Sequence, residues 1–266
     1  MINFNKIKKA YDIDAGTISV GTGAIFEYSS SAAQTLSGAI SGLGGLTKDT
    51  NTSTLTLSST SSSYTGVTTI SAGTLSVSYL AAGGSNSNIG ASSNAASNLV
   101  SDGGTLKYTG STGYSTDRLF TIGTGTSGAT IDASGSATLT FTNALTLATT
   151  GTGTRTLTLT GSGNGSLASI IPSQSTNATA LTKSGAGTWT LSGASSSYTG
   201  VTTISAGTLS VSYLAAGGSN SNIGASSNAA SNLVINGGTL QYTGSTGYST
   251  DRLFTIGTGT SGATID

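Results

Sequence analysis

The sequence SSSYTGVTTISAGTLSVS occupies residues 61–78 and returns unchanged at residues 195–212. Tyr64 of the first stretch corresponds to Tyr198 of the second, which sets the offset between the two copies at 134 residues. Near-identical duplication at a fixed spacing is typical of stacked, one-dimensional architectures, in which each repeat contacts only its neighbours.

The duplication extends well beyond the quoted stretch, to residues 61–132 and 195–266. These 72 aligned positions differ at three sites, which are Ser101→Ile235, Asp102→Asn236 and Lys107→Gln241. Lys107 lies inside an alternating run and is predicted to face solvent, whereas Asp102 precedes a double glycine and is predicted to lie in a turn. The alternation leaves the direction of residue 101 open.

The composition excludes several classes of protein. Charged residues make up 7% of the 266 residues and the net charge is zero, against about 25% charged residues in typical domains. There is no cysteine and therefore no disulfide, and no basic stripe that would indicate nucleic-acid binding. Lys6, Lys8 and Lys9 are interpreted as a solvated chain end. Regularly spaced aliphatic residues and the absence of charge repulsion argue against a disordered linker.

Short alternating runs recur along the whole chain and predict half-buried β-strands, because alternation with a period of two places every second side chain on one face. The runs are TLTL (54–57), TLSVS (74–78), TLKY (105–108), TLTFT (138–142), TLTLT (156–160), TWTL (188–191), TLSVS (208–212) and TLQY (239–242). Glycine-rich turns separate them. Residues 87–100, rich in Asn and Ser, are interpreted as a long turn or lateral loop, with a short helix as the alternative.

Strands this short cannot each bury an apolar face alone, but coiling them into a stack solves the problem. The sequence therefore predicts an all-β protein, a parallel β-helix (β-solenoid) built from 134-residue near-identical repeats. We expect residues 1–12 to form an N-terminal arm or frayed end and residues 13–266 a single solenoid, with residues 133–194 as connecting coils. At roughly 20–25 residues per coil, the chain would form about 11–13 coils, about six per repeat. A sandwich or barrel is the alternative, although identical copies would invite mispairing there.

Residues 181–212, LTKSGAGTWTLSGASSSYTGVTTISAGTLSVS, resemble the autotransporter-associated β-strand repeat. Residues 46–78 resemble it more loosely. The resemblance implies a passenger-type, right-handed parallel β-helix at a bacterial surface, with structural and no catalytic residues at the motif positions. The chain differs from the family's whole proteins in showing no signal peptide and no membrane-barrel segment, so we expect any export signal to lie outside it. No segment is apolar enough to insert into a membrane as a helix.

Candidate chemistry is sparse, and we predict no enzyme, no catalytic residue, no cofactor and no metal site. GTGTSG at residues 123–128 and 257–262 matches a dinucleotide fingerprint, but no helix pattern follows it, so a turn is predicted. Asp12 and Asp14 form the one close carboxylate pair in the sequence, at the chain end. The pairs Asp117-Arg118 and Asp251-Arg252 are interpreted as loop salt links or solvent-exposed groups.

The function favoured by the sequence is a structural rod, spacer or adhesin segment of a long, repetitive bacterial surface or secreted protein. The alternatives are a self-stacking fibre subunit, including a cell-surface filament or phage fibre, and an ice-binding β-helix suggested by the Thr-x-Thr runs. Expected partners are a second copy stacked end to end, or a host-cell, glycan or surface ligand. We expect an extracellular or cell-surface location.

Overall fold

A computed structural model describes residues 15–50, 52–123, 128–174, 177–257 and 262–266. The predicted arm at residues 1–12, with Lys6, Lys8 and Lys9, lies outside these residues, as do Asp12 and Asp14. In the described part, every pairing between two strands is parallel, which confirms the predicted all-β parallel solenoid and excludes a sandwich of antiparallel layers.

The strands are two to six residues long. In the first half of the chain they are β1 (Ile18–Val20), β2 (Ile25–Tyr28), β3 (Gln34–Leu36), β4 (Ile40–Gly42), β5 (Gly45–Lys48), β6 (Thr54–Leu57), β7 (Thr68–Ile70), β8 (Thr74–Val77), β9 (Leu99–Ser101), β10 (Thr105–Tyr108), β11 (Tyr114–Thr116), β12 (Thr121–Ile122) and β13 (Ala129–Ala133).

In the second half the strands are β14 (Leu139–Phe141), β15 (Ala148–Thr149), β16 (Arg155–Thr160), β17 (Gly165–Leu167), β18 (Thr179–Lys183), β19 (Thr188–Leu191), β20 (Thr202–Ile204), β21 (Thr208–Val211), β22 (Leu233–Ile235), β23 (Thr239–Tyr242), β24 (Thr255–Ile256) and β25 (Thr264–Ile265). Two single 3-10 turns, Ala96–Asn98 and Ala230–Asn232, are the helical elements of the described chain. All eight predicted alternating runs contain a strand, and residues 87–100 are confirmed as mainly loop.

The strands stack into three long sheets that share one core. Sheet I has the order β2-β5-β7-β9-β12-β15, sheet II the order β3-β6-β8-β10-β13-β16-β18-β20-β22-β24, and sheet III the order β11-β14-β17-β19-β21-β23-β25; β1 and β4 pair separately. From β11 to β17 the chain passes through sheets III, I and II in turn. The sheets therefore form the three sides of a prism, and one circuit through them is one coil.

The core is a set of ladders in which inward side chains of successive coils lie over one another. On sheet II the longest ladder consists of Leu55, Leu75, Leu106, Ile131, Leu159, Lys183, Ile204, Ile235 and Ile256. From Leu55 to Ile235 all are nearly or completely buried. Burying an aliphatic side chain contributes about 1.5–3 kcal/mol, so each coil is held chiefly by contacts with the coils on either side.

Lys183 interrupts the aliphatic ladder without leaving its charge unpartnered. Its ammonium donates hydrogen bonds to the carbonyl oxygens of Ser184 (2.6 Å), Gly185 (2.7 Å) and Ala206 (3.0 Å). Burial lowers the pKa of this group from 10.5 to about 8. Lys48 occupies the matching place in the earlier repeat and donates to the carbonyl of Thr50 (2.5 Å). Each lysine thus satisfies the exposed carbonyls of a turn at the end of its strand.

The buried Trp189 on sheet III fits because the residue beneath it, Gly165, has no side chain. Trp189 is fully buried and stacks on Gly165 of the preceding coil, and a Cβ added at Gly165 would lie 2.5 Å from the indole ring. The indole nitrogen donates to the carbonyl of Thr160 at 3.0 Å. The position therefore requires glycine because of close approach and not because of an unusual backbone angle.

The two copies do not lie on the same sides of the prism. Strand β7 belongs to sheet I, but its copy β20 belongs to sheet II; β8 belongs to sheet II, but its copy β21 belongs to sheet III. On sheet II, β20 lies five coils beyond β8. The next strand, β21, which is the copy of β8, lies on the following side of the prism, sheet III. The repeat is therefore five coils and one side long, and the expectation of six coils is wrong. Each copy contains a lateral loop that lengthens its coil, so the chain forms fewer coils than its length suggests. Sheet II, which receives one strand per coil, has ten strands, whereas the sequence predicts about 11–13 coils.

Candidate functional site

The largest departure from the coil is the lateral loop, residues 78–98, which connects β8 to β9; its copy is residues 212–232. Asn88 anchors the base of the loop. Its side-chain oxygen accepts hydrogen bonds from the backbone N–H groups of Ser78 (2.8 Å) and Tyr79 (2.6 Å), and its amide nitrogen donates to the carbonyl of Ser59 (2.8 Å). Asn88 is completely buried. The loop is thus tied to the coil below it.

Arg118 holds the interior of the same loop. Its guanidinium donates to the carbonyl oxygens of Ala81 (3.1 Å), Gly90 (2.9 Å) and Ser92 (2.9 Å), and to the Ser92 hydroxyl (2.9 Å). The side chain is 1% exposed, and burial lowers the pKa of Arg118. One planar, five-donor group can bridge several parts of a loop at once. Arg252 makes the corresponding bonds in the second copy.

The predicted role of the Asp-Arg pairs is wrong for the arginines. Arg118 and Arg252 are buried, and they bind backbone carbonyls instead of their neighbouring carboxylates. Asp117 accepts hydrogen bonds from the backbone N–H of Gly83 (2.7 Å) and the Asn94 amide (2.9 Å). Sequence reasoning missed this because the converging carbonyls belong to residues 26–37 positions away.

A surface groove lies beside the lateral loop, and we call it the tyrosine groove. It is lined by Thr60, Ser61, Tyr79, Ser85, Asn86 and Tyr114 and has a volume of about 490 Å³. The rings of Tyr79 and Tyr114 meet edge to face with centroids 4.5 Å apart. The copies of these residues, Tyr213 and Tyr248, repeat the contact at 4.7 Å. Both pairs join a residue of the loop to a residue of the next coil.

The tyrosine groove carries aromatic rings, hydroxyls and one amide, and its described lining contains no Asp, Glu, Lys or Arg side chain. Aromatic surface surrounded by such groups contacts uncharged polar ligands well. The groove has neither an acid–base pair nor an activated nucleophile. In the described residues no three His, Cys, Asp or Glu side chains lie close enough to hold a metal ion. The arrangement is suited to binding.

The structure brings together one carboxylate pair that the sequence did not indicate. Glu27 on β2 and Asp49 just after β5 lie in adjacent coils, and the Ser29 hydroxyl is within hydrogen-bond distance of both (3.1 and 2.9 Å). A hydrogen bond with Asp49 is the main cause that raises the pKa of Glu27. Only the parallel pairing of β2 with β5 could have revealed this pair.

The glycine motif expected to form turns lies largely outside the described residues, at 124–127 and 258–261. The three positions that differ between the copies all lie within the described residues. Lys107 faces outward, with its side chain 38% exposed and 3.8 Å from Asp132. Position 102 lies in a bend, as predicted. Position 101 points into the core in both copies.

Threonines form a column on the outer surface of sheet II. Successive coils place Thr54, Thr74, Thr105, Thr130, Thr158, Thr182 and Thr203 over one another. The neighbouring outward column is mixed, because it contains Ser76, Lys107, Asp132 and Thr160. Of the Thr-x-Thr runs, residues 156–160 contribute Thr158 to this column, whereas Thr140 and Thr190 lie on sheet III in a column that also contains Ser166, Ser210 and Gln241.

Comparison with known proteins agrees with the repeat pattern. The family model for the passenger-associated-transport-repeat matches residues 46–77 and 181–211. A relative, the adhesin BmaC autotransporter of Brucella suis biovar 1 (strain 1330), is 47% identical over 226 residues. The match covers 84% of this chain and 6% of that protein, so the chain spans a small part of its relative. No solved structure matches the chain.

These matches indicate a passenger segment located at the cell surface or outside the cell. None of the described helical turns is long or apolar enough to cross a membrane. The repeat motif, the parallel solenoid and the relative agree, and the chain belongs to the family of autotransporter adhesins that carry passenger-associated transport repeats.

Proposed function

We propose that this chain is a rod-forming segment of a surface adhesin, in which the solenoid sets reach and the tyrosine groove contacts an uncharged glycan. The observation that carries the proposal is the tyrosine pair, which appears in both copies with nearly the same ring geometry. The relative's name describes an adhesin, which supports a role in attachment.

The chemistry of the groove favours sugar over other ligands. The tyrosine rings offer flat apolar faces to the C–H groups of a sugar ring, and the hydroxyls and the amide of Ser61, Ser85 and Asn86 offer hydrogen bonds. The absence of charged lining side chains disfavours acidic polymers. Asn88 and Arg118 fix the loop before any ligand arrives, so little ordering entropy opposes binding.

A glycan panel tests this proposal. We expect the full chain to bind neutral glycans immobilised at high density, and the double variant Tyr79→Ala/Tyr213→Ala to lose at least about tenfold in apparent affinity. Ser97→Ala/Ser231→Ala is the matched control, because both serines are exposed and lie outside the groove lining. Equal binding by both variants, or binding to sulfated glycans alone, would contradict the proposal.

The spacer role has its own test. Deleting residues 61–194 joins Thr60 to Ser195 and leaves a chain identical to residues 1–132 except at the three differing positions. The deleted chain should fold and be about 26 Å shorter, since five and one-third coils are lost at about 4.8 Å each. Small-angle scattering measures the length, and an unchanged maximum dimension would refute the spacer role.

End-to-end stacking is a second candidate, and a comparison of the copies favours it. Leu119, Phe120 and Ile122 are buried under the next coil, whereas their copies Leu253, Phe254 and Ile256 are 61%, 44% and 58% exposed. Either a second chain or further coils of a longer protein would cover this apolar end. Light scattering across concentrations should detect dimers of the full chain, and Leu253→Lys/Phe254→Lys, which places charges on the exposed end, should abolish them. A purely monomeric full chain would exclude stacking.

The threonine column offers weaker support for ice binding. One aligned column lacks the two-dimensional spacing of a flat hydroxyl array, because Lys107 and Asp132 occupy the next column. Thermal hysteresis of the purified chain measures this activity directly, and its absence would exclude the hypothesis.

A further inference from the structure

The 134-residue repeat of this solenoid does not contain a whole number of coils, because it spans five coils and one side. Every strand of the first copy that has a strand counterpart in the second moves by one sheet. Strands β7, β9 and β12 of sheet I become β20, β22 and β24 of sheet II, and β8, β10 and β13 of sheet II become β21, β23 and β25 of sheet III. Six consistent shifts show that the displacement is a property of the whole unit.

The buried tyrosine and the loop arginine keep their contacts in spite of this displacement. Tyr64 is fully buried with its hydroxyl 2.7 Å from Thr68, and Tyr198 is fully buried with its hydroxyl 2.8 Å from Thr202. The arginine bonds within the lateral loop are also reproduced. Neighbouring coils, and not a fixed side of the prism, therefore determine how each segment folds.

The displacement changes the direction in which the lateral loop points. In the first copy the loop lies between a strand of sheet II and a strand of sheet I, where the chain passes the third side of the prism. In the second copy it lies between a strand of sheet III and a strand of sheet II, where the chain passes the side of sheet I. Because the prism has three sides, the two loops are separated by one-third of a turn about the axis.

We propose that the 134-residue repeat acts as a screw element that distributes identical contact loops around the rod. A flat partner surface then engages the loop of one copy but not that of the next, whereas a partner that surrounds the rod, such as a polymer mesh, reaches both. The direction of the loops stands on the sheet order alone. That the loops contact a ligand rests on the proposed function.

Spin labels on the otherwise cysteine-free chain measure this rotation without any ligand. Ser97→Cys/Ser231→Cys labels exposed, equivalent loop positions. Translation along the axis alone would separate them by about 26 Å, whereas an added third of a turn at a radius of at least about 10 Å gives roughly 30–40 Å. Thr74→Cys/Thr203→Cys is the control, because both lie in the threonine column five coils apart, at about 24 Å.

We expect electron–electron double resonance to give a loop distance that exceeds the control distance by roughly 6–16 Å. A loop distance within about 3 Å of the control would mean that the copies point the same way and would overturn the proposal. Circular dichroism of each labelled variant confirms that it retains the β-fold, so that neither result can arise from unfolding. Because no ligand is present, this outcome is independent of whether the tyrosine groove binds a glycan.

Discussion

The first and second copies contain almost the same residues on different sides of the same prism. Tyr64 and Arg118 keep their hydrogen bonds in the second copy as Tyr198 and Arg252, and Asn222 keeps the two bonds that the Asn88 side-chain oxygen accepts, although its amide nitrogen has no partner among the described residues. The two copies differ in burial. The first copy has coils on both sides, whereas the last coil of the second copy has one face exposed to solvent. Local sequence thus decides the shape of each coil, and the number of residues between copies decides where it lies.

The arginines provide the largest expected difference. Arg118→Ala should lower the free energy of unfolding by about 3–5 kcal/mol, because it leaves several buried carbonyls of the lateral loop unpaired. Arg252→Ala should cost less, since Arg252 is 9% exposed and lies near the uncovered coil. Urea denaturation of both variants measures the two values, with hydrogen exchange of the loops as a local readout. Equal losses would show that cover from the next coil does not matter.

The differing core position provides the next test. Ile235→Ser should destabilise the protein by about 2 kcal/mol, because Ile235 lies between Ile204 and Ile256 in an apolar ladder. Ser101→Ile should be neutral or stabilising, since Ser101 lies between Ile70 and Ile122. The Ser101 hydroxyl donates to the Gly104 carbonyl at 2.9 Å, and the loss of this hydrogen bond reduces the stability that Ser101→Ile gains from burying an aliphatic side chain. Thermal unfolding of both variants checks it; destabilisation by Ser101→Ile would show that the two sides of the prism pack differently.

The buried tyrosines should give the same result in both copies. Tyr64→Phe leaves the Thr68 hydroxyl without its partner, and Tyr198→Phe does the same to Thr202. Each substitution should cost about 1–1.5 kcal/mol. Denaturant unfolding tests the equality, and a gap above about 1 kcal/mol would contradict the claim that local environments are independent of the side.

A pH titration provides the smallest effect. Burial lowers the pKa of Lys183 to about 8 in the folded chain, against 10.5 when exposed. Between these values the unfolded state binds more protons, so stability should rise as the pH increases from 8 toward 9.5. The buried tyrosines, whose pKa values burial raises, oppose this only near and above pH 10. Lys183→Met should reduce the rise and leave the smaller contribution of Lys48, whose pKa burial also lowers. The urea midpoint at each pH measures the slope, and an unchanged slope would assign the rise to other groups.

Much of the fold follows from the sequence because its signals are local. Alternation in TLKY and TWTL predicts both the strands and their inward faces, as Leu106 and Trp189 show. The duplication predicts stacking, because each coil needs only its neighbour. The domain limits at residues 1–12 and 13–266 remain predictions.

The structural features that the sequence did not predict depend on contacts between residues far apart in the chain. The bonds of Arg118 require a loop that folds back over it, and the tyrosine groove joins Tyr79 to Tyr114, 35 residues apart. The shift between sides depends on coil length, which the lateral loop changes without any sign in the strand pattern. Counting coils from an average length therefore gave six instead of five and one-third.

Disulfide trapping tests the out-of-step repeat most directly. Strand β18 is the counterpart of β5, which lies on sheet I, yet β18 pairs with β16 on sheet II, where Thr182 lies beside Thr158. Mild oxidation should therefore cross-link Thr158→Cys/Thr182→Cys, since stacked strands lie about 4.8 Å apart, within disulfide reach. Ala148→Cys/Thr182→Cys, which would stack if β18 continued sheet I beyond β15 in the register of β5, should stay reduced. A cross-link in the second pair and none in the first would contradict the account.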